Sequence, residues 1–241
     1  MTNATQSPES IKRFLLMKAE YLLLNLLIIA GPLALSFDSN VRYVRFWAKA
    51  LASAVIVMIP FIVWDSAVSG VHWYFSDLYT LNIRLLGLPP GEYLFFITVP
   101  FSCLFIWQIL VTKRRAREGR TDLPQKILAG LFIVSALLFF RAGRTYTGLV
   151  LAALSVTCVL DVLSGVRLLS RRVTGIYLSI VTGLMLVFNG YLTARPVVLY
   201  NSGYFLGIRV FTIPVEDFGY GFALILVCTI VFEVLKRRSR G

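Results

Sequence analysis

The sequence holds few of the side chains that build metal or disulfide sites. Only one histidine, His72, and three cysteines occur among its 241 residues. One histidine cannot form a metal site by itself, and Cys103, Cys158 and Cys228 each lie inside an apolar run, where cysteine usually packs as a small buried residue. We therefore predict no metal site and no disulfide-rich extracellular scaffold.

Charged side chains are scarce as well. They make up 15% of the residues and hydrophobic ones 58%, whereas soluble domains average about 25% and about 45–50%. Too few polar groups remain to cover a compact surface in water, so the composition indicates a polytopic membrane protein and argues against a disordered chain. The net charge of +12 comes from Lys and Arg between apolar runs. Membrane topology and anionic lipid headgroups explain that placement, so nucleic acid is not expected as a partner.

Seven apolar runs are about long enough to cross the roughly 30 Å of hydrocarbon in a bilayer. They are continuous rather than alternating, which favours helices over barrel strands. The predicted fold is therefore all-α, with about seven transmembrane helices. The predicted spans are Tyr21–Phe37, Phe46–Trp64, Tyr93–Val111, Ile127–Phe140, Tyr146–Leu163, Ile176–Leu192 and Phe218–Leu235. For the first run a cleaved signal peptide is the alternative, with Ala34-Leu35-Ser36 as its cleavage site.

Lys and Arg are divided unequally between the two sides of the predicted membrane. The N-terminus with the second, fourth and sixth loops carries eight, and the other side carries sixteen. The positive-inside rule then places the N-terminus outside and the C-terminus in the cytoplasm, and we expect an integral protein of the cell inner membrane. The basic runs Lys113–Arg117 and Lys236–Arg238 are interpreted as solvated cytoplasmic segments, with a specific lipid or partner site as the alternative.

An internal repeat links the third and seventh spans. Leu88–Phe96 and Ile213–Phe222 each contain an apolar residue, a proline, one or two acids and an aromatic-rich helix start. Spans an even number apart cross in the same direction, so we predict two parallel three-helix repeats joined by a linker helix, with both acidic motifs on one face. The predicted division is a polar leader (1–19), a first half (20–112), a basic loop with the linker helix (113–143), a second half (144–236) and a basic tail (237–241).

Four acids are the candidate catalytic groups: Glu216, Asp217 and Glu92 lie in the two motifs, and Asp65 lies at the end of the second span on the same face. Acids near lipid depth are costly and usually functional, and the adjacent Glu216 and Asp217 could hold one proton between them. The alternative is structural, because proline and acids suit the first turn of a helix. Most of the aromatic residues are interpreted as interfacial belt residues, and those that line a cavity would stabilise a carbocation through their faces. The candidate substrate-binding residues are Trp64, Trp73, Tyr93, Phe96, Phe218 and Tyr220.

Together these segments resemble the membrane-embedded, flavin-independent carotenoid (lycopene) cyclases. The resemblance rests on Pro60–Asp65, Leu88–Phe101, Arg195–Tyr200, Gly207–Arg209 and Ile213–Phe218, and it spans nearly the whole chain and both halves. It implies an enzyme of the intramolecular lyase or isomerase type, with an apolar carotenoid such as lycopene as substrate and no cofactor. In the reaction that the resemblance implies, an acid protonates the terminal double bond, the neighbouring alkene attacks the cation, and a base removes a proton to leave a β-ionone-type ring.

The family's Pro-x-Glu-Glu pattern maps onto Pro89–Glu92 and Pro214–Asp217. The chain departs from it at Gly91, and Gln108 stands where the family often has Glu. These departures favour one alternative, a divergent paralogue that binds carotenoid or acts on another isoprenoid. Another alternative is a non-enzymatic seven-helix membrane protein, although a retinal Schiff base would need a lysine in the middle of a span, and no span has one. A homo-oligomer remains an open expectation.

Overall fold

Eight α-helices make up most of the computed structural model, which describes residues 8–113 and 122–239. The helices are α1 (Pro8–Lys18), α2 (Glu20–Leu35), α3 (Trp47–Val68), α4 (Pro90–Lys113), α5 (Leu123–Arg141), α6 (Thr145–Leu163), α7 (Arg172–Ala194) and α8 (Val215–Arg238). The helices α3 to α8 are long and apolar enough to cross a membrane, and α1 with α2 forms a seventh candidate span bent by 63°. The predicted all-α fold of about seven transmembrane helices is confirmed.

Large apolar side chains cover much of the outer surface. On α5, for example, Leu131, Leu137 and Leu138 are each about 60% exposed. Such a surface would be unstable in water, whereas in a bilayer these side chains contact lipid and the helices satisfy their own backbone hydrogen bonds. The protein is an integral membrane protein.

A two-stranded ribbon joins the loops that follow α3 and α7. The strands β1 (Trp73–Phe75) and β2 (Val198–Tyr200) pair antiparallel, with Tyr74 opposite Leu199. Tyr74 and Leu199 are 125 positions apart, as are the repeat prolines Pro89 and Pro214. Equivalent strands that pair antiparallel about equivalent residues are related by a two-fold axis. The pseudo-two-fold axis of the repeat therefore passes between β1 and β2. A hairpin of β3 (Arg209–Val210) and β4 (Ile213–Pro214) precedes α8.

The third helices of the two halves, α4 and α8, lie at the centre of the bundle. α2 packs on α4, α6 packs on α8 in the equivalent way, and the linker helix α5 packs along α6. Phe101 and Leu104 of α4 and Leu224 and Ile225 of α8 are among the fully buried residues of the core. The two halves therefore share one hydrophobic core.

Both central helices begin three residues earlier than predicted, at Pro90 and Val215. Their first turns consequently include Glu92, Glu216 and Asp217, whose side chains are fixed in direction by the helix. Acids suit this position because they complement the positive end of the helix dipole. The acids thus belong to the rigid part of the fold rather than to the preceding loops.

The predicted polar leader contains a helix that the sequence pattern does not reveal. α1 carries Glu9, Lys12, Arg13 and Lys18, so it is too polar to be recognised as a span. Most of the basic run 113–117, the start of the leader and the end of the tail lie outside the described residues.

Candidate active site

A cavity of about 460 Å³ lies between α2, α4, α7 and α8, beside the β1–β2 ribbon. Apolar side chains such as Leu24, Ile28, Val99 and Ile106 line most of it. Along α4 the lining reaches from Glu92 to Ile106, a distance of about 21 Å at 1.5 Å per residue. Ser102 lies part of the way along α4, and the other polar groups gather at the Glu92 end, hereafter the acidic end. Those at the acidic end are Tyr21, Asp65, Glu92, Tyr146, Asn189, Tyr200, Asp217 and Tyr220.

Asp65 and Glu92 form a pair of carboxyl groups at the acidic end. Asp65 lies in the last turn of α3 and Glu92 in the first turn of α4, and the two side chains are within hydrogen-bonding reach of each other. Tyr21 donates its hydroxyl to Glu92 Oε2 at 2.5 Å, and Tyr220 donates to Asp65 Oδ1 at 2.8 Å. Both carboxyl groups are buried. The geometry suits a pair that shares one proton.

Asp217 has a different environment, although it lines the same cavity. Its Oδ1 accepts the Tyr146 hydroxyl at 2.6 Å, and its Oδ2 accepts the Tyr200 hydroxyl at 2.5 Å and the Asn189 amide at 2.9 Å. Burial makes a charge on this carboxyl group costly, and the three donors offset part of that cost, because each hydrogen bond is stronger to a charged acceptor. The two acidic groups of the cavity are thus held by different sets of partners.

The tyrosine–acid contacts repeat between the two halves. Tyr21 and Tyr146 are 125 positions apart, and so are Glu92 and Asp217. In each half, a tyrosine in the first turn of the first helix donates to an acid in the first turn of the third helix. The pseudo-two-fold axis therefore brings two equivalent tyrosine–acid pairs into a single cavity.

Glu216 does not line this cavity. Its Oε1 accepts the Thr147 hydroxyl at 2.6 Å and the Leu206 backbone N–H at 2.8 Å, and its buried Oε2 has no hydrogen-bond partner among the described residues. It therefore joins α8 to α6 and to the loop before β3. The structure brings Asp65, Glu92 and Asp217 together and leaves Glu216 outside.

Gly91 stands at the place that Glu216 has in the second half, and the structure shows why. A Cβ atom at Gly91 would lie 2.4 Å from Cδ1 of Tyr21 and 2.7 Å from its Cγ. Asn25 also donates to the Gly91 carbonyl oxygen at 3.0 Å. The missing side chain is therefore what allows the Tyr21 ring to lie against α4 and reach Glu92.

Two of the six aromatic candidates line the cavity, namely Trp73 and Tyr220. Trp64 lies behind Tyr220, with ring centroids 4.9 Å apart, and Phe96 is fully buried in the core. Tyr93 donates its hydroxyl to the Leu85 carbonyl oxygen, away from the cavity. Phe218 is likewise not among the residues of the lining.

Among the described residues, those that line the cavity include no Lys, Arg or His. Burial, together with the charge of Asp217, raises the pKa of Tyr200 well above its usual value, so this hydroxyl keeps its proton and acts as a donor.

No group of three His, Cys, Asp or Glu side chains in the described part of the chain is arranged to hold a metal ion.

Four hydrogen-bond donors of the site were not predicted from the sequence as site residues: Tyr21, Tyr146, Asn189 and Tyr200. The sequence does contain a signal for two of these donors. Tyr21 and Tyr146 are separated by the same interval as the acidic motifs, so extending the repeat back to the first helix of each half pairs them. Asn189 and Tyr200 occur in one half only, and no repeat marks them.

A protein-family model described as lycopene cyclase matches the chain twice, at residues 18–110 and at residues 143–235. The two matches together cover more than half of the chain. They begin at residues 18 and 143 and end at residues 110 and 235, a constant offset of 125, which is the interval between the tyrosine–acid pairs. No curated protein and no solved structure gives a significant match.

Proposed function

The chain belongs to the lycopene cyclase family, and from this premise we propose that it forms a β-ionone-type ring at the end of linear lycopene or a similar carotenoid by acid-initiated cyclisation. Membership of the family implies a carotenoid cyclase with an apolar substrate. The observation that supports acid-initiated ring formation is the cavity itself, in which three carboxyl groups and four tyrosine hydroxyls lie at one end of an apolar channel.

The Asp65–Glu92 pair is the proposed proton donor. Two carboxylates at hydrogen-bonding distance repel each other, and one shared proton relieves that repulsion. In the first step this proton moves to the terminal carbon–carbon double bond and leaves a tertiary cation. The neighbouring double bond then supplies its electron pair, which forms the carbon–carbon bond of the ring and moves the cation to the ring.

Asp217 is the proposed base. A carbocation with a neighbouring C–H bond is a very strong acid, so even a carboxylate held by three hydrogen bonds can remove its proton. The ring faces of Trp73 and Tyr220 stabilise the cation until then. One proton enters the substrate and one leaves, so the reaction is an isomerisation without an oxidant or reductant. Turnover requires only that the proton return from Asp217 to the carboxyl pair within the same polar cluster.

A whole-cell experiment tests the proposed function. The chain is expressed in a bacterium that accumulates lycopene, and the pigments are separated by chromatography. We expect monocyclic and bicyclic β-ring products. Unchanged lycopene at confirmed expression and membrane insertion would contradict the proposal and would favour a protein that only binds carotenoid.

The hydroxyl of Tyr146 is expected to stabilise the Asp217 carboxylate through its hydrogen bond. Tyr146→Phe removes one hydrogen bond to a charged group, which is typically worth about 1.5–3 kcal/mol, so we expect ring formation to fall by about tenfold or more. Tyr93→Phe is the matched control, because the Tyr93 hydroxyl points away from the cavity. The measurement is the initial rate of product formation per amount of membrane-inserted protein. Equal rates for the two variants would remove Tyr146 from the site.

We also propose how the chain is oriented in the membrane and where it divides into two halves. The excess of Lys and Arg on the side of the C-terminus supports a cytoplasmic C-terminus in the cell inner membrane, with the acidic end toward the outside. A reporter fused to the C-terminus that folds only in the cytoplasm tests this orientation. The two matched segments support halves close to 20–112 and 144–236.

A further inference from the structure

α7 stands away from the core along part of its length, where its repeat counterpart α3 packs closely. Between Val181 and Leu192 no α7 residue is buried, although Leu184, Met185 and Phe188 line the cavity. α3, by contrast, has a buried residue in every turn from Ala50 to Val68. The cavity therefore occupies a gap that α7 leaves on one side of the pseudo-two-fold axis.

Side-chain size explains why the equivalent gap beside α3 is closed. Phe61 and Trp64 pack on the Tyr220 ring, with centroid distances of 5.3 and 4.9 Å. The positions 125 residues further along the chain are Leu186 and Asn189. These smaller side chains do not fill the same space. Three acidic groups, Asp65, Glu92 and Asp217, thus lie in one cavity, although the repeat occurs twice in the sequence.

The other edge of the gap is α2. Leu27 and Leu35 line the cavity and are nevertheless 65% and 58% exposed, and Gly31 between them is also exposed. Residues four apart lie on one face of a helix, so these three mark the rim of an opening about 12 Å long. The exposed face of a helix that crosses a membrane contacts hydrocarbon. The cavity therefore opens sideways into the bilayer.

At the acidic end the two edges are tied together. Arg195 Nε donates to Glu20 Oε1 at 2.9 Å, and Tyr191 donates its hydroxyl to the same carboxylate. Glu20 begins α2, and Tyr191 and Arg195 lie at the end of α7. These contacts bridge the opening near the membrane surface and leave its apolar part free.

We propose that the linear carotenoid enters the cavity from the bilayer through the opening between α2 and α7, one end at a time. This inference rests on the proposed function. An apolar chain dissolved in lipid avoids water by such a path. One acidic end receives one end of the molecule, while the rest extends along the apolar channel and out through the opening. A second ring therefore requires that the molecule leave and return with its other end.

A series of side chains at Gly31 tests the opening. Leaving aside its two chain neighbours and the adjoining helix backbone, no atom lies within 4 Å of a Cβ placed on Gly31, so side chains of increasing size can be placed there. Gly31→Trp places a large side chain across the opening, and we expect ring formation to fall by about tenfold or more. Gly31→Leu should narrow the opening and raise the ratio of monocyclic to bicyclic product, because each ring needs its own passage.

Gly130→Trp is the matched control, since Gly130 lies on the exposed face of α5 and also has open space around it. Leu27→Trp repeats the test at the same rim should Gly31→Trp fail to accumulate. Full activity of the rim variants at wild-type protein levels would overturn the opening but not the proposed function. A wild-type chain that makes no rings would overturn both. We expect the rim variants to lose ring-forming activity, while the wild type and Gly130→Trp stay active.

Discussion

Replacing Asp217 by asparagine is expected to lower ring formation by about 100-fold or more, whereas Glu216→Gln should leave it close to the wild-type rate. General acid–base groups typically contribute about 100-fold to 10,000-fold, and asparagine cannot accept the proton of the cation. Glu216 lies outside the cavity, and a glutamine there can still accept from Thr147 and from the Leu206 N–H. The two variants make the same chemical change at neighbouring positions, so each controls for the other.

The comparison is made on initial rates in a lycopene-containing membrane, normalised to inserted protein. Thermal unfolding of both variants in detergent provides the stability control. Equal and severe losses in both would show that Glu216 takes part in the chemistry, as two acids sharing a proton would require. Full activity of Asp217→Asn would refute the proposed base.

Substituting Gly91 is expected to damage the enzyme, even when the new residue restores the acid of the repeat motif. The added Cβ of Gly91→Ala or Gly91→Glu would lie 2.4 Å from the Tyr21 ring, so the ring must move away and its hydrogen bond to Glu92 is lost. Such overpacking typically costs about 1–3 kcal/mol. We expect ring formation to fall by about tenfold or more, and Gly91→Glu to fall at least as far as Gly91→Ala.

A double-mutant cycle shows whether Tyr21 is the cause. Tyr21→Ala removes the ring that the new Cβ would strike, so adding Gly91→Ala to it should produce little further loss. Gly130→Ala, which has open space, controls for alanine in a membrane helix. Additive losses in the cycle would mean that Gly91 matters for a reason other than room for Tyr21.

The parallel halves could be predicted because a short motif recurs in spans of the same direction. The sequence does not predict which of the neighbouring acids, Asp217 or Glu216, lies in the cavity. Adjacent residues on a helix point about 100° apart, so the sequence marks both acids equally, and only the rotation of α8 against the axis places one in the cavity. Gly91 shows the same limit. In the sequence it looks like a lost acid, and in the structure it makes room for a tyrosine from another helix.

The remaining site residues depend on contacts between distant parts of the chain. Asp65 and Glu92 meet because α3 ends beside the start of α4. A tyrosine at the end of a span is ordinarily an interfacial residue, so only the 125-residue interval of the repeat distinguishes Tyr21 and Tyr146. The proposed opening between α2 and α7 likewise depends on how closely α3 and α7 pack, which follows from side chains spread over several helices.

Deuterium transfer from the enzyme to the product tests acid-initiated cyclisation most directly. The purified protein is equilibrated in heavy water and given less lycopene than enzyme, so that each site acts once, and the rings are analysed by mass spectrometry. The carboxyl pair should hold an exchangeable proton, so we expect one deuterium in each ring. We also expect Glu92→Gln to form far fewer rings. Rings that form at the wild-type rate without deuterium would contradict proton donation by the acidic end of the cavity.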